Sequence, residues 1–225
     1  MATIVTYNRG GQDAPFYQSS AGDFSGVASF STDFLVDPGF TATDFGLIAA
    51  AGGVYGNTDG ADFSSFIGGK FCYAAAAGNE FSFAIKAKLS ARNSGDIASF
   101  GLADAATGAL DAANANVCFK VTQGASAAAD AILVSLDDGT TEYTLTLSDN
   151  PEGYDSTAYH VYGAHVKYDG NKTTVRWFID GAEVASKVST GTFAAAEAMG
   201  LAGYQGAETA LLYLDWAGVA CNVRD

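Results

Sequence analysis

Apolar and polar residues alternate with a period of two along much of this chain, and glycine or small polar residues interrupt the alternation at short intervals. The clearest run is Glu80 to Ser90. Phe81, Phe83, Ile85, Ala87 and Leu89 fall on one face, and Ser82, Ala84, Lys86, Lys88 and Ser90 on the other. Successive side chains of a strand point to opposite faces, so this spacing predicts a strand with one greasy side turned inward. The same period sets Val117, Phe119 and Val121 against Asn116, Cys118 and Lys120. It sets Tyr143, Leu145 and Leu147 against Glu142, Thr144 and Thr146, and Val175, Trp177 and Ile179 against Thr174, Arg176 and Asp180. Shorter or more fully apolar runs at 44–50, 97–102, 131–136, 159–168, 199–204 and 211–223 add further strands. Trp177 shares its parity with Val175 and Ile179, and Trp216 with Leu212 and Leu214, so both indoles are expected in the core.

Turn chemistry joins these runs. Asp137-Asp138-Gly139, Tyr168-Asp169-Gly170-Asn171 and Asp180-Gly181 stand between strand pairs. Asp-Gly steps reach positive φ at little cost and favour tight antiparallel hairpins. Helical signal is scarce. Segments 125–131 and 193–199 are rich enough in Ala for one or two turns, and neither holds a 3.6-residue period. Many short strands with frequent turns predict an all-β sandwich or barrel. Residues 1–25 are richer in polar residues and Gly and form an arm or edge segment. Residues 26–225 show no linker or internal repeat and read as one domain.

Composition narrows the function. The chain has 225 residues, enough for one large sandwich, with 48% hydrophobic residues, 15 Phe and 11 Tyr. Its formal net charge is −14, from 25 acidic and 11 basic residues. Nucleic-acid binding needs a basic stripe to displace counterions. The nearest approach, Lys86, Lys88 and Arg92, alternates with apolar residues, so nucleic acid and anionic membrane are not expected partners. The three cysteines, Cys72, Cys118 and Cys221, are odd in number and widely spaced. They read as small core residues of a protein made in a reducing cytosol. The N-terminus has no basic and apolar stretch of signal-peptide form.

Several segments carry a family resemblance. The stretch 165–186 contains Tyr-Asp-Gly-Asn, then Trp-Phe-Ile-Asp-Gly, then a short strand. It resembles a hairpin recurrent in concanavalin A-like and laminin-G-like domains. Leu211-Leu212-Tyr213-Leu214-Asp215-Trp216 resembles their closing strand, and its Asp-Trp step is similar to one in family-16 glycoside hydrolases. Phe81–Leu89 and Ile97–Asp104 resemble the paired central strands. The resemblance implies a two-sheet antiparallel jelly-roll sandwich. The ordered series Phe-Gly-Leu-Ala-Asp, Asn-Val-Cys-Phe-Lys, Trp-Phe-Ile-Asp-Gly and Leu-Asp-Trp is also similar to virion proteins of tailed bacteriophages. This resemblance implies a location on the virion after synthesis in the host cytoplasm.

Catalytic chemistry is not expected. A retaining glucanase needs two carboxylates about 5 Å apart, supplied in the family by Glu-x-Asp-x-x-Glu or Glu-x-Asp-x-Glu on one strand. Here the glutamates are Glu80, Glu142, Glu152, Glu183, Glu197 and Glu208, none within five residues of another. His160 and His165 are five apart on one strand and so point to opposite faces. No Gly-x-Ser-x-Gly elbow occurs. No cofactor is expected. Calcium is the one ion that the resemblance brings in, on loops, with Asp137, Asp138, Asp169, Asn171 and Asp59 as candidate ligands beside their ordinary role as turn formers. Candidate carbohydrate contacts are Tyr55, Asn57 and Asp59 in the Gly-rich segment 52–60, and Tyr154 and Asp155. Tyr204 and Gln205 form a third set. The expected function is a non-enzymatic virion structural protein, a capsid decoration or cement protein that forms a homo-oligomer and binds the major capsid protein or another virion protein. The alternative is a lectin-like carbohydrate-binding module or adhesin with a polysaccharide partner. A degenerate glucanase ranks third.

Overall fold

The computed structural model describes residues 3–9, 12–18, 27–32, 40–48, 54–58, 63–73, 80–104, 115–137, 142–189, 197–206 and 210–222. Strands are β1 (Thr3–Arg9), β2 (Gln12–Gln18), β3 (Val27–Thr32), β4 (Thr41–Thr43), β5 (Phe45–Ile48), β6 (Val54–Asn57), β7 (Phe63–Tyr73), β8 (Glu80–Leu89) and β9 (Ile97–Ala103). They continue as β10 (Asn116–Thr122), β11 (Ala131–Asp137), β12 (Glu142–Thr146), β13 (His160–Tyr168), β14 (Thr173–Ile179), β15 (Ala182–Ser189), β16 (Glu197–Gly206) and β17 (Leu212–Asn222). The one helical element among the described residues is a 3-10 turn at Ala127–Ala129. This falls within the expected Ala-rich turn. Of the second such segment, residues 197–199 are strand, where pairing with β7 overrides the weak local helix preference of Ala.

Two antiparallel sheets carry the architecture. One runs β12-β11-β10-β9-β16-β7-β4, and the other β15-β14-β13-β8-β17-β6-β5, with β3 also paired to β17. The three Asp-Gly segments each separate consecutive antiparallel strands: β11 from β12, β13 from β14, and β14 from β15. At the last of them Asp180 takes φ 51° and Gly181 φ 83°, the left-handed geometry that this dipeptide tolerates. β1 and β2 pair only with each other among the described strands, and β2 lies against β8.

The sheets meet over an aromatic core. Phe83 of β8 and Tyr162 of β13 come from one sheet, and Phe100 of β9 and Phe119 of β10 from the other. Tyr162 sits 4.7 Å from Phe100 and 5.3 Å from Phe119, and Phe83 lies 6.4 Å from Phe119. Edge-to-face contacts of this kind add to the area term. Trp177 is fully buried, as its parity predicts. On β8 the alternation is only half of the pattern. Phe81, Phe83, Ile85, Ala87 and Leu89 are buried, but so are Ser82 and Ala84 on the opposite face. β8 is a central strand, held between β13 and β17, and β2 lies near it. Phe119→Ala is expected to destabilise the fold by about 4 kcal/mol, whereas Val188→Ala, at an exposed edge position, should change stability by under about 0.5 kcal/mol. Urea unfolding of the two variants checks the contrast.

Candidate functional site

The residues singled out from sequence scatter over the fold. Tyr55 and Asn57 belong to β6 rather than to a loop, because β6 is held between β5 and β17. Tyr55 is buried and stacks on Phe45, and Asn57 Nδ2 donates to Gln205 Oε1 at 3.4 Å. Gln205 is itself interior and donates to the Ala210 carbonyl, and Tyr204 is buried beside it in sequence. Tyr154 is buried too, with its hydroxyl 2.9 Å from that of Tyr162. None of these rings offers a face to solvent, so none is a surface platform for a sugar. Asp59 and Asp138 lie outside the described residues. Asp137 is buried at the end of β11, whereas Asp169 sits in the β13–β14 hairpin of the other sheet. Asp169 Oδ1 accepts from the backbone N–H groups of Asn171 and Lys172, both at 2.8 Å, and these bonds hold its carboxyl below the usual range. This is the turn-forming role of Asp. Among the described residues no three His, Cys, Asp or Glu side chains are grouped closely enough to hold a metal ion.

Asp155 belongs to a polar cap at one end of the sandwich. Arg92 follows β8 and reaches across to two carboxylates. Its Nη1 donates to Asp130 Oδ1 at 2.5 Å, and its Nη2 to Asp155 Oδ1 at 2.6 Å. Burial pushes the Asp130 carboxyl up, but hydrogen bonds from Arg92, the Gly124 N–H and Ser156 outweigh it and hold it below the usual range. Asp155 is lowered by bonds from Thr157 and then from Arg92. Gln123, buried alongside, donates to the Ala91 carbonyl and to Ser156 Oγ and accepts from the Asn93 N–H. His160 Nδ1 lies 2.6 Å from Asp180 Oδ2, and its ring stacks on Tyr154. His165, on the opposite face as five-residue spacing requires, pairs with Glu80 at 3.2 Å.

A different surface gathers what the loops do not. The outer face of the eight-stranded sheet carries Lys86 and Lys88 on β8, Tyr213 and Trp216 on β17, and Tyr159 just before β13. All five are half-buried. Cross-strand pairing sets Tyr213 beside Lys88 and Trp216 beside Lys86. Trp216 was expected in the core, and the correction has a local cause. The register of β17 against β8 shifts between Leu214 and Trp216, leaving Asp215 as an extra residue. Such a bulge inverts the parity of everything beyond it. Leu212, Leu214, Ala217 and Val219 are all buried, while Tyr213 and Trp216 both face outward.

The other groups fit around these rings. Lys86 Nζ pairs with Asp215 Oδ2 at 2.7 Å. The Nζ atoms of Lys86 and Lys88 stand 5.3 and 4.8 Å from the centroid of the Tyr159 ring. Burial, then the Asp215 carboxylate and Tyr213, push the Tyr159 hydroxyl up to about 12, so it remains a neutral donor and acceptor. Tyr213 lies over Gly56 of β6, where a Cβ would stand 2.5 Å from the ring. Only glycine lets the tyrosine lie this close to the sheet. The apolar period does carry a trace of this arrangement, since Leu212 and Leu214 have one parity and Ala217 and Val219 the other.

No protein-family model matches the chain, and no curated protein matches it. Solved structures do. The chain is similar to an endo-1,3-β-glucanase from Streptomyces sioyaensis, with TM-score 0.60 and 10% identity over 92% of this chain and 100% of the other. It is similar to basic winged bean lectin with Tn-antigen, with TM-score 0.57 and 9% identity over 88% and 100%. It is also similar to a Bacillus licheniformis β-glucanase, with TM-score 0.53 and 14% identity over 90% and 100%. The fold is the concanavalin A-like jelly-roll sandwich.

The polar cap has a definite pH signature. The native carboxyls of Asp130 and Asp155 are lowered, so folding gains stability above the unfolded carboxylate value of about 3.9 and loses it as pH falls through the native values. Arg92→Gln leaves the buried Asp130 without its cation. It is expected to cost on the order of 3 kcal/mol near neutral pH and to move the acid-unfolding midpoint upward, as read by urea denaturation across the pH range.

Proposed function

We propose that this protein binds carbohydrate, without hydrolysing it, on the outer face of its eight-stranded sheet. The observation that carries the reading is the cluster of Tyr159, Tyr213 and Trp216, three half-buried rings packed among Lys86, Lys88 and Asp215. A pyranose has an apolar C–H face and a rim of hydroxyls. Tyr and Trp offer large rigid contact area at little cost in conformational entropy, together with a polar handle. The bulge in β17 and the Gly56 contact hold Trp216 and Tyr213 before any ligand arrives, and such pre-organisation favours affinity. The fold is one that solved structures share with a lectin bound to Tn-antigen and with two glucanases, which makes sugar the ligand class to test first.

The binding-only reading draws support from the carboxylates. Asp130 and Asp155 share Arg92, and both are lowered by their hydrogen bonds. A general acid for glycoside cleavage needs the opposite shift, upward toward neutrality.

Trp216→Ala is expected to weaken glycan binding about tenfold, equivalent to roughly 1.4 kcal/mol, with far-UV circular dichroism unchanged. A glycan array followed by titration calorimetry on the ligands found measures it. Wild-type protein that binds no glycan, or a Trp216→Ala variant that binds equally well, would rule the platform out. Release of reducing sugar from a β-glucan by the purified protein would rule out the non-catalytic reading.

A further inference from the structure

The charge balance of the same face points to the class of sugar. Lys86 and Lys88 are two residues apart on one face of β8, and both stand over Tyr159. Like charges this close repel unless anions compensate them. Asp215 compensates Lys86. Among the described residues no carboxylate lies within ion-pair distance of Lys88, whose Nζ stands 4.8 Å from the centroid of the Tyr159 ring. The face therefore keeps one half-buried ammonium beside Tyr213, its cross-strand neighbour. This happens in a chain with 25 acidic residues for 11 basic ones, where a carboxylate partner would be the easier thing to find.

We infer that the platform selects an acidic polysaccharide, with the carboxylate of a uronic acid residue bound at Lys88 while the sugar ring stacks on Tyr213 and Trp216. This deepens the carbohydrate reading above and rests on it. An ammonium forms a charge-assisted hydrogen bond with a carboxylate, and the ring of Tyr159 beneath restricts where Nζ can sit. The net charge of −14 does not forbid such a ligand. At physiological salt, charges beyond about 8 Å are screened, so the local ammonium dominates at contact. The same negative charge works against dense polyanions, which need many cations along their length.

The test uses the full chain and three probes: polygalacturonate, dextran sulfate and a neutral β-1,3-glucan, compared by affinity electrophoresis and calorimetry. Wild-type protein is expected to bind polygalacturonate most tightly. Lys88→Gln should weaken that binding about tenfold, the scale of one hydrogen bond to a charged group, and bring the polygalacturonate-to-neutral ratio close to one. Lys88→Arg should restore the preference, which separates charge from packing. Equal wild-type affinity for polygalacturonate and the neutral glucan, or a ratio unmoved in Lys88→Gln, overturns acidic selection and leaves the platform standing. Preference for dextran sulfate overturns the uronate assignment in favour of sulfate. Failure of wild-type protein to bind any of the three, with none found on the array, overturns both readings together.

Discussion

Strand β17 must bury Leu212 and Leu214 at one end and Ala217 and Val219 at the other, and a strand with a strict two-residue period cannot do both. The extra residue at Asp215 resolves the conflict by inverting parity midway. The consequence reaches both sides of the sheet. On the inside, the core stays continuous where β17 lies between β8 and its two partners on the other side, β6 and β3. On the outside, Trp216 and Tyr213, which strict alternation would place on opposite faces, come to share one. The Asp215 carboxylate is then within reach of Lys86. A single backbone irregularity thus builds the core seam, the aromatic platform and the Lys86–Asp215 ion pair.

The polar cap solves a separate problem. Where the strands end, loops must cross the rim of the core, and their backbone groups need partners. Gln123, Asp96 and Asp130 are buried there and bond to main-chain groups of other segments: Ala91 and Asn93, Ala210, and Gly124 and Ser156 respectively. Arg92 neutralises the buried Asp130 and ties in Asp155. The cap acts as structure, and its density of charge alone would be a poor guide to function. On the outward face of the eight-stranded sheet, Lys86, Lys88 and Asp215 stand beside the half-buried rings of Tyr159, Tyr213 and Trp216, and that combination suits a ligand that is both apolar and polar.

Likeness of fold at about a tenth identity places the chain in an architecture that hosts both binding and catalysis. What separates these roles lies in side chains, so the functional reading rests on the rings and ammoniums of this chain.

The sequence by itself determined the local elements. Period-two alternation placed β8, β10, β12 and β14, and Asp-Gly steps placed the hairpins, because side-chain parity and turn φ are properties of a few adjacent residues. It also placed Trp177 in the core and set the two histidines on opposite faces. Tertiary structure decided what depends on partners distant in the chain. Tyr55 and Tyr154 looked like loop aromatics, and only their packing against Phe45 and Tyr162 shows them to be interior. Arg92 looked like the end of a basic alternation, and only the folded cap gives it Asp130 and Asp155. Trp216 looked interior because parity propagates until a bulge breaks it; the switch of parity from Leu212 and Leu214 to Ala217 and Val219 hints at a break, and only the register of β17 against β8 fixes it at Asp215.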